Sequence, residues 1–248
     1  YQSLNNANGR LLPELLPVGS VEGGFNGFYT TLAKAARIAE LIAQKDQFVK
    51  DREAGVVSDW TQLYGEALTM KAYCYFELVK HFGDVPYGYE NSYITDYKLS
   101  SRFDILDEVI SILEEAAPLM YKLGEGGITA ERFSSTFAYA LKGEAALYSA
   151  GFQTIRTDVE GLYGNLSFEK ASIEEYKCVY ARRSDYMDYY AKAEKAFDEF
   201  FQNVGSAKLV TVDERGLNNP YQRHFQYAND LQILSLIHIS EPTRLLSI

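Results

Sequence analysis

Apolar positions recur at three- and four-residue spacing through most of the chain, which predicts a succession of helices. From Gly27 to Gln47 the repeating positions are Phe28, Leu32, Ala35, Ala39 and Ile42, with Gly19, Gly23 and Gly24 punctuating the approach. A polar stretch containing Gly55 follows, and Ser58 or Asp59 offers an N-cap for the next helix. That helix, Trp60 to Phe82, carries two apolar stripes side by side. Leu63, Ala67, Met70, Cys74 and Leu78 form one, and Tyr64, Leu68, Tyr75, Val79 and Phe82 the other. Its polar residues are confined to a few positions such as Glu66, Lys71, Glu77 and Lys80. A helix this apolar must be covered on more than one side, so it is expected at the centre of the fold. At about 1.5 Å per residue it spans roughly 34 Å, the width of a small domain. Gly83 ends it and Pro86 forbids immediate resumption.

A third helix is predicted from Arg102 to Lys122, with Ile105, Val109, Ile110, Leu113 and Ala117 inward. Asp104, Asp107 and Glu108 lie near its N-terminal end, where the helix dipole favours them. Gly124, Gly126 and Gly127 then break the chain. The fourth helix, Ser134 to Gly151, is rich in small residues (Ala138, Ala140, Gly143, Ala145, Ala146, Ala150), which let a neighbour approach closely. The irregular stretch around Gly161 and Gly164 is too long for a connector and reads as surface structure or a binding loop. A fifth helix, Tyr186 to Asn203, is expected to turn Tyr190, Ala193, Phe197 and Phe200 inward, and Lys208 to Val212 reads as one short strand. Successive helix pairs give an all-α stack with long loops, comparable to a tetratricopeptide array of irregular spacing.

Composition narrows the function classes. The 248 residues can bury a substantial core, and no apolar run reaches the roughly 20 residues of a membrane span. A net charge of −10 argues against nucleic acid and against an anionic membrane surface, but suits a neutral or cationic ligand. The chain holds 20 Tyr and 14 Phe but one Trp. Tyr joins an apolar ring to a polar tip and so suits wet interfaces and flat polar ligands, although most such rings fill cores. Cys74 falls on an apolar helix face and reads as a buried free thiol, with a pairing to Cys178 left open by the sequence. The start at Tyr1 has neither Met nor a signal-peptide h-region, so a removed signal or a fragment is expected.

No catalytic constellation emerges. His81, His224 and His238 are far apart without ligand spacing, and His81 suits the C-terminal end of its helix. Glu114 and Glu115 are adjacent, hence about 100° apart on a helix, and read as a solvated face. A pair such as Asp84 with Asp158 has nothing to motivate it. No cofactor or metal is expected. The strongest candidate for ligand contact is the loop after Pro86, with Tyr87, Tyr89, Tyr93 and Tyr97 on one side of an extended segment. Sugar rings stack on such faces, although the same rings could simply pack the loop onto the stack.

One part of the chain resembles a known family. Glu66-Ala67, Lys71-Ala72-Tyr73, Tyr75-Phe76, Leu78-Val79 and Phe82-Gly83-Asp84-Val85-Pro86 look like the hallmark helix and exit loop of SusD/RagB proteins. Segments around Arg102–Ala116, Phe133–Tyr148, Tyr190–Ala196 and Asn219–Phe225 agree in order. The resemblance implies a tetratricopeptide-like scaffold, non-enzymatic, binding oligosaccharide at the outer-membrane surface. It further implies an N-terminal lipid anchor, absent here, and a SusC-like TonB-dependent transporter as partner. No binding residue carries over, because contact positions in the family follow no motif. Residues 1–234 are then expected to be a partial SusD-like domain, and 235–248 a non-native tail that resembles translated adaptor sequence. The rival readings are a helical scaffold for a protein partner and, less supported, a helical glycoside hydrolase.

Overall fold

The computed structural model describes residues 18–89, 96–209, 211–213 and 218–219, with side chains from 22 onward. Tyr93, the Pro220–Phe225 segment and the tail from 235 lie outside the described residues. Helices dominate in the order α1 (Val18–Ala43), α2 (Asp46–Glu53), α3 (Asp59–Phe82), α4 (Arg102–Ala116), α5 (Ser135–Ala150) and α6 (Tyr186–Gln202). Three short strands lie between α5 and α6: β1 (Gln153–Arg156), β2 (Phe168–Lys170) and β3 (Cys178–Arg183). Apart from the small α2, each helix packs on the next in chain order, α1 on α3, α3 on α4, α4 on α5 and α5 on α6. This is the expected all-α, tetratricopeptide-like stack.

The expected central helix is central. Every residue from Ala72 to Val79 is buried, so α3 is covered around its full circumference there. Ser58 caps it: its hydroxyl accepts from the Thr61 amide (3.4 Å), while the Thr61 hydroxyl accepts from the Ser58 amide (2.8 Å). Only the N-terminal end of its first stripe departs, Leu63 being exposed. Buried Gln62 on its first turn ties two loops, donating to the Phe133 carbonyl (2.9 Å) and accepting from the Tyr121 amide (2.8 Å). Cys74 is a buried free thiol and Cys178 is also free. Burial, followed by the charge of Glu77, pushes the Cys74 thiol up to about 12, so it stays protonated at neutral pH.

Several boundaries move. Gly19, Gly23 and Gly24 lie inside α1 rather than before it. A Cβ on Gly23 or Gly24 would meet nothing, so the helix runs on through its open side while Phe25, Tyr29 and Leu32 anchor it. It stops at Ala43, because Lys45 is extended, and the polar stretch that follows forms α2, anchored by Phe48 against Tyr64 (4.5 Å between ring centroids). The third predicted helix ends at Ala116 instead of Lys122. Pro118 lacks an amide proton and tightens Ala117–Leu119 into a 3-10 turn. On α6 the inward ring is Tyr189, not Tyr190, while Ala193 and Ala196 are buried as the core stripe. The described residues of 208–212 form no strand.

The long segment after α5 is an antiparallel sheet of order β1-β3-β2. Its inner face, Ile155, Val179 and Ala181, packs on Phe103 from the first turn of α4, with Tyr163 and Phe168 alongside. The hairpin before β3 turns through Tyr176 and Lys177, both at positive φ (51° and 61°).

Small residues in α5 perform as expected. A Cβ on Gly143 would sit 2.7 Å from the Phe197 ring of α6, so the two helices meet at that point. Gly143→Val should therefore lower stability by about 1–3 kcal/mol, read as a shift in urea midpoint at unchanged slope. A variant as stable as the parent would show that the helices separate at no cost.

Candidate functional site

The exit from α3 begins with Gly83, whose backbone (φ 77°) lies in the left-handed region. A Cβ there would also strike the Arg102 guanidinium at 2.4 Å, so glycine serves both conformation and space. The next residue, Asp84, is the hub of the site, with its side chain 1% exposed. Its carboxylate accepts from Arg102 Nε (3.1 Å) and Nη2 (3.0 Å), from the Arg102 backbone amide (2.9 Å) and from Tyr163 Oη (2.8 Å). One side chain thus joins the end of α3, the start of α4 and the loop between β1 and β2. Burial alone would raise the Asp84 pKa, but the hydrogen bonds and charge of Arg102 outweigh it and hold the carboxyl below its ordinary range. Burial and the Asp84 carboxylate push the Tyr163 phenol the other way, upward.

The loop that follows is closed at its base by a bridge in which the Ser100 amide donates to the Val85 carbonyl (3.0 Å). Ser101 then caps α4, accepting from the Phe103 amide (3.2 Å). Tyr29 Oη on α1 donates to the Pro86 carbonyl (2.5 Å), holding the loop from the other side.

The four candidate tyrosines do not share one environment. Tyr87 is half-buried, packed on the Tyr75 ring of α3 (4.7 Å), with its hydroxyl donating to Glu108 (3.2 Å). Tyr89 and Tyr97 meet edge to face at 5.1 Å, and the Tyr89 hydroxyl accepts from the Lys98 amide (3.4 Å). Tyr97 is 53% exposed. Tyr93 lies outside the described residues. A cavity of about 600 Å³ is lined by Tyr87 and by Lys98, the residue after Tyr97, with Asp104, Glu108, Glu160 and Leu162 among others; Tyr89 and Tyr97 are not in its lining. Burial, then the neighbouring Asp107 charge, raises the Asp104 pKa, and Arg183 offsets part of that rise. Neither the acidic lining nor the hub role of Asp84 is signalled by spacing, because both depend on segments far apart in the chain.

A second cleft, about 590 Å³ and mostly apolar, lies between α1, α3 and the loop before α5. Ile38, Leu63, Met70, Phe133 and Phe137 line it. Arg132 at its rim forms a two-pronged pair with Glu66, both contacts 2.8 Å.

Of the other candidate groups, His81, Glu115 and Asp158 have structural partners. His81 stands exposed in the last turn of α3, 3.2 Å from buried Glu77, which also holds Lys80 (2.8 Å). Glu114 and Glu115 are exposed, and Glu115 pairs with Arg52 (2.8 Å). Asp158 is paired with Arg156, whose hydrogen bonds lower its pKa to about 2. Among the described residues no group of His, Cys, Asp and Glu is arranged to hold a metal, and no helix is long and apolar enough to cross a membrane.

No curated protein sequence matches the chain. Solved structures do. A crystal structure with a xylogluco-oligosaccharide aligns at TM-score 0.55 and 17% identity, over 87% of this chain and 35% of that one. A SusD homolog from Bacteroides thetaiotaomicron aligns at TM-score 0.47 and 22% identity, over 59% of this chain and 29% of that one. The chain therefore spans about a third of the length of the structures it resembles, and the first likeness speaks to fold alone. The sequence model of SusD-like proteins, described as starch-binding and associating with the outer membrane, matches residues 20–146, just over half the chain. On that match, together with the helix and exit loop that fall inside it, the chain belongs to the SusD-like family.

Proposed function

We propose that this chain binds oligosaccharide without transforming it and that, at the outer face of the outer membrane, it passes the ligand to a SusC-like TonB-dependent transporter. The observation that carries the reading is the Tyr89–Tyr97 ring pair, with Tyr97 53% exposed and followed by Lys98 in the lining of the 600 Å³ cavity, on a loop whose base is pinned by Asp84. Aromatic rings with polar tips next to carboxylates and a lysine can stack on a sugar ring and hydrogen-bond its hydroxyls. The family description and the xylogluco-oligosaccharide in the similar structure support the ligand class. A binding rather than catalytic role follows the family description, and Asp84 and Asp158 are each engaged by an arginine rather than paired with one another. In the full protein, attachment to the membrane is through a lipid anchor.

Calorimetric titration with xylogluco- and malto-oligosaccharides tests the reading. Tyr97→Ala is expected to weaken whichever of them binds by roughly fivefold to tenfold, about 1–1.4 kcal/mol, without altering the thermal melt. Failure of every saccharide to bind would refute it. A second reading, a helical scaffold for a protein partner, is favoured by the apolar cleft between α1 and α3. It predicts instead that Ile38→Asp and Leu63→Asp abolish partner capture while saccharide binding is absent.

A further inference from the structure

We infer that the outward face of the small sheet and the first turns of α6 form a second saccharide-binding surface, taking a neutral oligosaccharide on Tyr180, Phe152, Arg182, Tyr186 and Tyr190. The ligand class rests on the reading above, and the site itself on separate geometry. Phe152 and Tyr180 stack at 5.5 Å with their planes 26° apart. The Arg182 guanidinium lies between two rings, 4.7 Å from the centre of Phe152 and 3.5 Å from that of Tyr186. Tyr186 in turn meets Tyr190 edge to face at 5.7 Å. Four rings and one guanidinium thus form a continuous row at the surface, in which Tyr180 is 47% exposed and Phe152 and Tyr190 each 39%.

Alternation along β3 explains the placement. Val179, Ala181 and Arg183 are buried against the helical stack, which turns Tyr180 and Arg182 outward. Thr154, exposed on β1, stands directly opposite Tyr180 and adds a hydroxyl to the same face.

Three features select the ligand class. The phenolic hydroxyls of Tyr180, Tyr186 and Tyr190 make no hydrogen bond to another described residue, unlike those of Tyr87 and Tyr89 in the loop after α3. They are available to sugar hydroxyls. Charge on this face is already compensated, Arg182 by Glu169 (2.7 Å) and Arg156 by Asp158 (2.7 Å), so it offers an anion no unpaired cation at those positions. The side chains also hold one another in place, so little conformational freedom is lost when a flat ligand settles on them.

Titration of the full chain with a neutral xylogluco-oligosaccharide, with maltoheptaose and with an oligogalacturonate tests the inference. Tyr180→Ala and Tyr190→Ala should each raise the Kd for a neutral oligosaccharide by about fivefold, with a larger loss in the double variant. Tyr180→Phe, which keeps the ring and removes the hydroxyl, should lose less affinity than Tyr180→Ala, and melts of these surface variants should match the parent. If Tyr97→Ala loses affinity while Tyr180→Ala and Tyr190→Ala keep the parental Kd for every neutral ligand, this surface is refuted and the saccharide-binding reading stands. If the parent binds no saccharide, both fall. Selective loss of oligogalacturonate binding in Tyr180→Ala would overturn the neutral class.

Discussion

Asp84→Ala is expected to lower stability by about 3–5 kcal/mol, the loss typical of stripping one partner from a buried ion pair. The reason lies in what remains. Arg102, with its side chain 13% exposed, would keep its charge with no carboxylate beside it, and Tyr163 would lose its acceptor. Arg102→Met alone should cost comparably by stranding the carboxylate. The double variant Asp84→Leu/Arg102→Met should recover part of the loss, because two apolar groups leave nothing unpaired. The pH dependence has a definite sign. The folded pKa of Asp84 is lower than the unfolded value of about 3.9, so its contribution is present above that value and fades as pH falls through the folded one. Urea melts of parent and Asp84→Ala should therefore converge as pH is taken from about 6 towards 2. Midpoints that differ equally at both ends would show that charge plays no part in the pairing.

Phe103→Ala is expected to cost about 3–5 kcal/mol and to do so unevenly. Phe103 is fully buried, and its ring is the surface on which the sheet rests: Phe168 lies 5.4 Å away, Tyr163 6.0 Å, and the Arg183 guanidinium covers it at 5.7 Å. The cavity would open between α4 and the sheet rather than between helices. Hydrogen exchange should then show the amides of β3 losing protection well before those of α3. Uniform loss across both elements would mean that sheet and stack unfold as one unit.

The element most legible in the sequence, α3, is the one whose burial is nearly complete, because its apolar residues fill both stripes from Ala72 to Val79. Helix α2 was not legible for the opposite reason. Phe48 is its only buried residue, and one residue has no period. The sheet is hidden by strand length, since segments of four, three and six residues separated by long loops are too short to show alternation. On α6 the choice between Tyr189 and Tyr190 turns on one residue of helical phase. Tyr189 wins because its hydroxyl reaches Asp107 and its ring receives Arg183, partners that only the fold supplies. The same limit applies to the candidate site. The tyrosine content of the loop was readable, but the inward turn of Tyr87 depends on Tyr75, and the row on the sheet depends on strand pairing.

The short bridge between Val85 and Ser100 has a consequence for how such a chain can change over time. Both ends of the tyrosine-bearing loop are fixed by groups outside it: Asp84, Arg102 and Tyr29 hold the base whatever the intervening residues are. Lengthening a closed loop costs little, since each doubling adds only about 0.6 kcal/mol. Insertions, deletions and substitutions between the two bridge residues can therefore accumulate while the helices beneath remain as they are. On the proposed reading, in which this loop carries the ligand contacts, a lineage built on this base is free to trade one ligand for another by rewriting a loop.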